Sequence, residues 1–242
     1  MIPAMCEQFV ARSEVPFRLD ELWPLAEKLE RFGLAGFGWG AAWVNPSGGI
    51  GCHRDVRAFR DDDNRDRIGA IETTSVLVHL RRPSRLSTLS LPDTQPFADP
   101  QARFAFSHNG DFREWRAPRV AYRAQGRIHG RADTEVGERW LEDRWDEAPS
   151  TPQLLSTLHE QLGGQANLAT LAADGAAVHY AGNTENPVFS FRLGSIGVVS
   201  TGLYSLDRSL FRFAAAGATD RRLVRLRTTV TLDPQGRPSP RT

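Results

Sequence analysis

The sequence predicts an α+β protein in which helices and strands are segregated rather than alternating. Strand-like runs, two consecutive amphipathic helices and then a long series of strand-like runs follow one another along the chain. This order favours separate α and β layers over repeated βαβ units. With 242 residues, of which 40% are hydrophobic and 24% charged, the chain is long enough to bury a full core.

The first part of the chain carries one predicted helix and three predicted strands. Apolar residues at helical spacing, among them Leu22, Leu25 and Leu29, predict an amphipathic helix over 20–32, which Gly33 ends. The run SVLVHL is almost entirely apolar and is therefore expected in the centre of a sheet. The predicted strands are 40–44, 75–80 and 103–107. The predicted loops are 60–67, which is strongly charged, and 90–101, which contains three prolines.

The second part of the chain begins with two helices and continues with strands. Apolar stripes predict helices over about 134–145 and 154–162. After Gly164 the periodicity changes to that of β-strands. The predicted strands are 166–175, 176–182, 187–194, 195–201 and 222–232. The tail that follows Asp233 is predicted to be frayed.

The composition indicates which partners and which cellular compartment to expect. The formal net charge of +1, from 30 basic and 29 acidic side chains, gives no electrostatic reason to expect nucleic acid or an anionic membrane as a partner. Cys6 and Cys52 are too few for a disulfide framework, so a reducing cytosol is expected. No apolar run reaches the ~20 residues that cross a bilayer. The six histidines lack metal-ligand spacing, and neither metal nor cofactor is predicted.

Two short motifs each allow a structural and a functional interpretation. Asn109-Gly110 between alternating apolar residues is typical of a type I′ hairpin turn. The alternative is an oxyanion hole, in which the asparagine amide and the glycine N–H face one developing negative charge. The run LVHLRRPS, 77–84, is typical of a strand that ends in solvent. The alternative is that one of its arginines binds a carboxylate through two parallel hydrogen bonds of the guanidinium.

Two further positions are equally open when considered alone. Asp133 precedes a predicted helix, where it can be an N-cap or accept from a substrate ammonium group. Cys6 can be an inert packed residue, since free cysteine is among the most buried residue types. Cys52 beside His53 suggests a Cys–His nucleophile, but neighbours on an extended strand point to opposite faces, so this pair is interpreted as incidental.

The order of these motifs is more specific than any one of them. Cys6 follows a methionine, H-x-R ends an apolar strand at Arg81, H-N-G follows at 108–110, and D-T-E opens a helix at Asp133. In this order they resemble the class II glutamine amidotransferases, which are N-terminal-nucleophile (Ntn) hydrolases. Small stand-alone members are the most similar, because they also carry G-W-G, here 38–40, and a stretch that reads Asp-Thr-Gln-Pro-Phe in this chain.

The resemblance implies a fold and a role for each matching residue. The implied fold is a four-layer αββα sandwich of two antiparallel sheets, the Ntn-hydrolase fold. Cys6 matches the nucleophile, while Asn109 and Gly110 match the oxyanion hole. Arg81 matches the arginine that binds the α-carboxylate of glutamine, and Asp133 matches the aspartate that binds its α-ammonium group. Departures at 82–83, 93–95 and 202–203 surround these positions and concern the identity of the substrate more than hydrolysis.

The expected activity is hydrolysis of the side-chain amide of glutamine or of a γ-glutamyl small molecule through a thioester at Cys6. The family's nucleophile acts from the chain terminus, so residues 1–5 are expected to be a leader or a mis-assigned start that is removed, leaving 6–242 as one domain. Two alternatives remain: a glutaminase subunit that supplies ammonia to a separate synthase, and a catalytically silent γ-glutamyl-binding protein. A cysteine hydrolase using Cys52 and His53 is a further alternative.

Overall fold

The structure, a computed structural model, describes residues 6–33, 35–202 and 208–241, without the side chains of Arg208 and Arg241. Thirteen strands of this part of the chain form two antiparallel sheets. The strands are β1 Glu7–Arg18, β2 Trp39–Val44, β3 Ile50–Asp55, β4 Glu72–Leu80, β5 Phe97–Ala98, β6 Phe104–Asp111, β7 Gln165–Ala172, β8 Ala177–Ala181, β9 Val188–Leu193, β10 Ile196–Thr201, β11 Thr219–Leu223, β12 Thr228–Leu232 and β13 Pro238–Arg241.

Six α-helices and four short 3-10 helices accompany the strands in the described residues. The α-helices are α1 Trp23–Gly33, α2 Arg65–Gly69, α3 Arg116–Ala124, α4 Thr134–Glu142, α5 Thr151–Leu162 and α6 Arg208–Ala214. The 3-10 helices are Leu19–Leu22, Phe59–Asp61, Leu86–Thr88 and Leu91–Asp93. No helix among the described residues has the length and apolar character needed to cross a membrane.

The seven-stranded sheet has the order β11-β9-β10-β1-β4-β2-β3, and the six-stranded sheet has the order β13-β12-β8-β7-β6-β5. The strand predicted over 75–80 is part of β4, which lies inside the larger sheet between β1 and β2 and is buried along most of its length. Its expected central position is therefore confirmed. β6 and β7 pair over eight residues in the smaller sheet.

Three apolar cores separate four layers. The first lies between the larger sheet and helices α1 and α6, where Leu25 and Leu29 meet Phe9 and Val78. The second lies between the smaller sheet and helices α4 and α5. The third lies between the two sheets and includes Leu77 from one sheet together with residues of β6, β7 and β8 from the other. Each sheet therefore has helices on its outer face and the other sheet on its inner face, as the αββα prediction requires.

Several local predictions differ from the structure. The strand predicted over 222–232 divides into β11 and β12, which belong to different sheets, and the chain has a left-handed φ of 57° at Arg227 between them. The tail predicted to be frayed contains β13, which pairs with β12. The predicted loop 60–67 overlaps a 3-10 helix and α2. Strands β1 and β3 and helices α3 and α6 were not predicted at all.

Candidate active site

A cavity of about 570 Å³ opens where the ends of β1, β4 and β6 meet the start of α4. Four of the five residues assigned to the site by their motifs line this cavity: Cys6, Arg81, Gly110 and Asp133. The fifth, Asn109, hydrogen-bonds directly to Cys6. Residues from four distant parts of the sequence therefore come together at one place.

Cys6 lies immediately before β1 and is fixed by its carbonyl oxygen and its sulfur. The carbonyl oxygen accepts hydrogen bonds from the side-chain amides of Asn109 and of Asn186, the latter at 3.4 Å. The thiol contacts the backbone of Arg82, whose N–H donates to Sγ at 3.3 Å. Burial raises the pKa of the Cys6 thiol from 9.0 to about 11. The thiol is therefore protonated at neutral pH while Cys6 is peptide-bonded.

Asn109 and Gly110 are residues of strand β6, where they pair with Asn167 and Ala166 of β7. The alternative of a hairpin turn at this dipeptide is therefore wrong. Asn109 is fully buried, and its amide nitrogen carries two N–H groups, so one can donate to Cys6 while the other serves a ligand. Gly110 has a φ of 133°, and a Cβ there would lie 1.7 Å from the carbonyl oxygen of Gln165. The strand accommodates only glycine at this position.

Arg81 follows β4 directly, and the residue is 4% exposed rather than solvated. Its backbone continues the sheet by pairing with Phe37 and Gly38. One terminal nitrogen, Nη2, donates to the carbonyl oxygen of Thr88. The other, Nη1, is buried and has no partner among the described residues. Because an unpaired buried guanidinium nitrogen is costly, this cavity-lining group favours a carboxylate ligand.

Asp133 occupies the N-cap position of α4, but its side chain does not cap the helix. Its Oδ2 instead accepts a hydrogen bond from the Phe112 backbone N–H at 2.7 Å, which leaves Oδ1 facing His108 at 4.0 Å from Nδ1. Burial lowers the pKa of His108, so this imidazole is neutral and does not compensate the carboxylate. The N-cap alternative therefore does not account for the side chain, and Oδ1 is available for a cationic group.

Asp93 and Gln95 stand at two positions where the sequence departs from the family motif, and both line the cavity. Asp93 is 2% exposed, and its Oδ1 accepts hydrogen bonds from the backbone N–H groups of Arg131 and Ala132. The side-chain oxygen of Gln95 accepts a hydrogen bond from the His108 backbone N–H at 2.6 Å. Its side-chain nitrogen donates to the Thr134 hydroxyl at 3.1 Å. The substituted residues therefore fix the loop before α4, which carries Asp133.

Two residues of the site were not predicted. Asn186 donates to the Cys6 carbonyl oxygen and accepts from the Gly202 backbone N–H at 3.3 Å. Asn167 fixes the loop that carries Asn186, because its side chain donates to the Asn186 carbonyl oxygen at 2.8 Å and accepts from the Gly182 backbone N–H. The only sequence signal was the polar, proline-ended run GNTENP, which is typical of any loop.

Cys52 and His53 do not form a catalytic pair. His53 Nε2 lies 2.7 Å from Asp62 Oδ2, while the Cys52 sulfur contacts the Pro96 carbonyl oxygen at 3.8 Å. His53, Asp55 and Asp62 are close enough together to hold a metal ion. However, the Arg57 guanidinium lies 2.9 Å and 2.8 Å from the two carboxylates and provides the positive charge there.

No protein-family model and no curated protein matches the sequence. Solved structures match at low identity. A glutamine phosphoribosylpyrophosphate (PRPP) amidotransferase from B. subtilis, complexed with ADP and GMP, matches with a TM-score of 0.75 and 15% identity over 98% of this chain and 49% of that chain. A structure described as the allosteric regulatory enzyme of purine biosynthesis matches with a TM-score of 0.74 and 15% identity over 98% of this chain and 48% of that chain.

A glutamine aminotransferase class-II domain protein from Silicibacter pomeroyi matches with a TM-score of 0.59 and 17% identity, over 97% of this chain and 98% of that one. The fold is that of the class II glutamine amidotransferases. The expected Ntn-hydrolase sandwich is thereby confirmed. The chain spans about half the length of the first two of these structures and nearly all of the third.

Proposed function

We propose that this chain hydrolyses the side-chain amide of glutamine or of another γ-glutamyl compound, with Cys6 as the nucleophile. The supporting observation is one cavity lined by the Cys6 thiol, the Arg81 guanidinium and the Asp133 carboxylate. The two opposite charges match the α-carboxylate and the α-ammonium group of a γ-glutamyl substrate. The amidotransferase fold supports amide hydrolysis of this general kind.

Activation of the thiol requires a base, and the nitrogen of Cys6 cannot act as one while it is part of a peptide bond. No described imidazole is hydrogen-bonded to Cys6, and burial holds the pKa of its thiol near 11. A free α-amino group has a pKa of about 7.7–8.0, which suits a general base at neutral pH. We therefore propose that residues 1–5 are removed and that 6–242 is the active domain, in which the Cys6 amine accepts the thiol proton.

The reaction then has two stages. The Cys6 thiolate attacks the amide carbon, and the negative charge that develops on oxygen is stabilised by the second amide N–H of Asn109 and by the backbone N–H of Gly110. The carbon–nitrogen bond breaks, and the leaving ammonia or amine takes the proton held by the α-amino group. Water then attacks the thioester, and glutamate is released as the Cys6 thiol re-forms.

Arg81 and Asp133 act by positioning. Held by its backbone and by Thr88, the Arg81 guanidinium is already oriented when a substrate carboxylate arrives. Asp133 is likewise oriented by the Phe112 backbone N–H. A substrate fixed at both ends presents its amide carbon to Cys6 without losing further rotational freedom at the reaction step.

A second candidate function is a glutaminase that supplies ammonia to a separate synthase. It is favoured by the match to one half of a PRPP amidotransferase chain. This function predicts weak hydrolysis of glutamine by the isolated chain and a large increase when the synthase is added.

The decisive experiment compares two forms of the protein, one starting at Cys6 and one that retains residues 1–5. Each form is incubated with glutamine and with 6-diazo-5-oxo-norleucine, an electrophilic glutamine analogue, and its intact mass is measured before and after. We expect the form that starts at Cys6 to release glutamate and to gain one equivalent of label. Cys6→Ser should do neither, whereas Cys52→Ser should behave as the parent.

Full activity in a form whose mass still includes residues 1–5 would show that the α-amine is not the base. Binding of glutamine with no turnover and no label in either form would instead identify a silent γ-glutamyl-binding protein.

A further inference from the structure

The cavity carries more positive charge than a glutamine substrate requires. Six arginines line it, against three aspartates, although the whole chain has a formal charge of only +1. The arginines come from three separate segments, which follow β4, follow β6 and precede α4. They are Arg81, Arg82, Arg85, Arg113, Arg116 and Arg131.

Two of the three aspartates already have hydrogen-bond partners or an assigned ligand. Asp93 is buried and accepts hydrogen bonds from two backbone N–H groups and from the Ser90 hydroxyl at 2.8 Å. Asp133 is assigned above to the α-ammonium group. Even when all three carboxylates are counted as charged, the six arginines outnumber them by three. The cavity therefore keeps a positive potential, which the low-dielectric protein walls concentrate.

The outer arginines have no acidic partner within the described part of the chain. No hydrogen bond or ion pair joins the side chains of Arg82, Arg85, Arg113 or Arg131 to a described carboxylate. The Arg116 guanidinium lies over the Trp115 ring at 5.2 Å, and this ring also lines the cavity. Arg113 and Arg131 are exposed, come from separate segments and line the same cavity, so both side chains are accessible to an anionic ligand there.

We propose that the physiological substrate is a γ-glutamyl amide whose amine portion carries an anionic group, a carboxylate or a phosphate. This inference rests on the proposed function. The γ-glutamyl part needs one guanidinium, Arg81, and the amine portion would extend from the amide nitrogen towards the outer arginines. Guanidinium groups bind carboxylate and phosphate oxygens through paired hydrogen bonds. Hydrolysis adds the hydroxyl of water to the glutamyl carbonyl carbon and a proton to the leaving anionic amine.

The test uses the form that starts at Cys6 and pairs of substrates in which one member has an anionic amine portion and the other a neutral one. One pair is γ-glutamylglycine and γ-glutamylglycinamide. The other is γ-glutamyl-phosphoethanolamine and γ-glutamylethanolamine. We expect kcat/KM to be about tenfold or more higher for the anionic member of at least one pair, and the pair with the larger ratio distinguishes carboxylate from phosphate. The ratio should decrease as ionic strength rises from 0.02 to 0.5 M, because salt screens exposed charges.

The test variant is a double variant that combines Arg113→Gln with Arg131→Gln. The matched control is Arg123→Gln, because Arg123 is an exposed arginine of α3 that lies outside the cavity. The double variant should reduce the anionic-to-neutral ratio about fivefold or more and leave kcat/KM for glutamine unchanged, since each exposed charge contributes a modest amount. The control should leave both quantities unchanged.

Equal kcat/KM within both pairs, or a ratio that the double variant leaves intact, would overturn the inference while the proposed function stands, provided that glutamine is still hydrolysed. If no γ-glutamyl compound is hydrolysed and Cys6 takes no label, the proposed function itself fails, and the inference fails with it.

Discussion

At the scale of single residues, the proposed function gives the carboxamide of Asn109 two roles. One N–H fixes the Cys6 carbonyl oxygen, and the other is assigned to the oxyanion. Asn109→Ala removes both, and we expect kcat for glutamine to fall by ~10²–10³ with little change in KM, because an oxyanion donor acts mainly in the transition state. Steady-state kinetics measure this effect. An undiminished kcat would exclude Asn109 from the oxyanion hole.

Asp133 provides a second prediction at this scale. Asp133→Asn keeps an acceptor for the Phe112 N–H but removes the negative charge. We expect kcat/KM for glutamine to fall by ~10–100-fold, since a hydrogen bond to a charged group contributes about 1.5–3 kcal/mol. The control is 4-carbamoylbutanoate, which is glutamine without its α-amino group. For this compound the variant and the parent should be equal, and an equal loss on both compounds would contradict the assignment.

The residues of the site differ in how far the sequence predicted them. Cys6, Arg81, Gly110 and Asp133 were predicted from the order of motifs, and the structure brings them to one cavity. Asn186 was not predicted, because its side chain bonds to backbone atoms of distant residues, the Cys6 carbonyl oxygen 180 residues away and the Gly202 N–H. A contact to a backbone atom places no requirement on the partner's side chain, so it leaves no motif in the sequence.

At the scale of elements, the pairing of β6 with β7 depends on Gly110. Gly110→Ala would place a Cβ 1.7 Å from the Gln165 carbonyl oxygen, a backbone atom that cannot rotate away. We expect a loss of more than about 4 kcal/mol, or a decrease in Tm of about 10 °C or more, measured by thermal unfolding.

The matched control for this substitution is Gly126→Ala. Gly126 also has a positive φ, 71°, but nothing lies within 4 Å of an added Cβ. It should cost only the ~1–2 kcal/mol of the left-handed conformation. Similar losses at both positions would show that backbone conformation, and not the close approach of β7, makes glycine necessary in β6.

Strand β1 shows why some elements were not predicted. Five consecutive residues at its start, 7–11, are buried, including the polar Glu7 and Gln8. Gln8 is compatible with burial because the His179 ring, the Asn167 carbonyl and the Ser107 hydroxyl provide hydrogen bonds. These partners are 99 to 171 residues away in sequence. In the sequence alone, Glu7 and Gln8 therefore resemble residues of a solvated terminus. In the structure they begin a strand that lies between β10 and β4 of the larger sheet.

At the scale of the whole molecule, the buried carboxyl of Glu7 links stability to pH. Burial raises the pKa of Glu7 from 4.5 to about 8. Between these values Glu7 holds a proton in the folded protein that it releases in the unfolded chain, so the contribution of Glu7 to the free energy of unfolding decreases as pH rises from about 4.5 to 8. Glu7→Gln removes this titration, and we expect its Tm to fall less between pH 5 and pH 8.5 than that of the parent.

Glu14→Gln is the control for the pH measurement, because Glu14 is on the same strand but exposed. It should follow the parent at every pH. Glu138, whose pKa burial also raises to about 8, should leave a residual slope in every variant. Identical slopes for Glu7→Gln and the parent would show that Glu7 is not protonated in the folded protein at neutral pH.

The layered architecture was predictable as a class, but its connectivity was not. Segregated α and β segments predicted layers, and the motifs implied two antiparallel sheets. The assignment of strands to sheets depends on contacts between the sheets, such as those of Leu77 with the smaller sheet, which periodicity does not encode. The division of 222–232 between the two sheets is the clearest example, because both halves have the same local strand pattern.

The hydrogen bonds of Cys6 to described residues end on its carbonyl oxygen and its sulfur. The amino nitrogen, which the proposed cleavage must free, is therefore not among the atoms through which described residues anchor Cys6. Under the proposed function, cleavage before Cys6 converts a latent protein into an active one without a conformational rearrangement. Folding and activation become independent events, and a protein that is fully assembled but not yet trimmed would remain chemically silent until its amine is exposed.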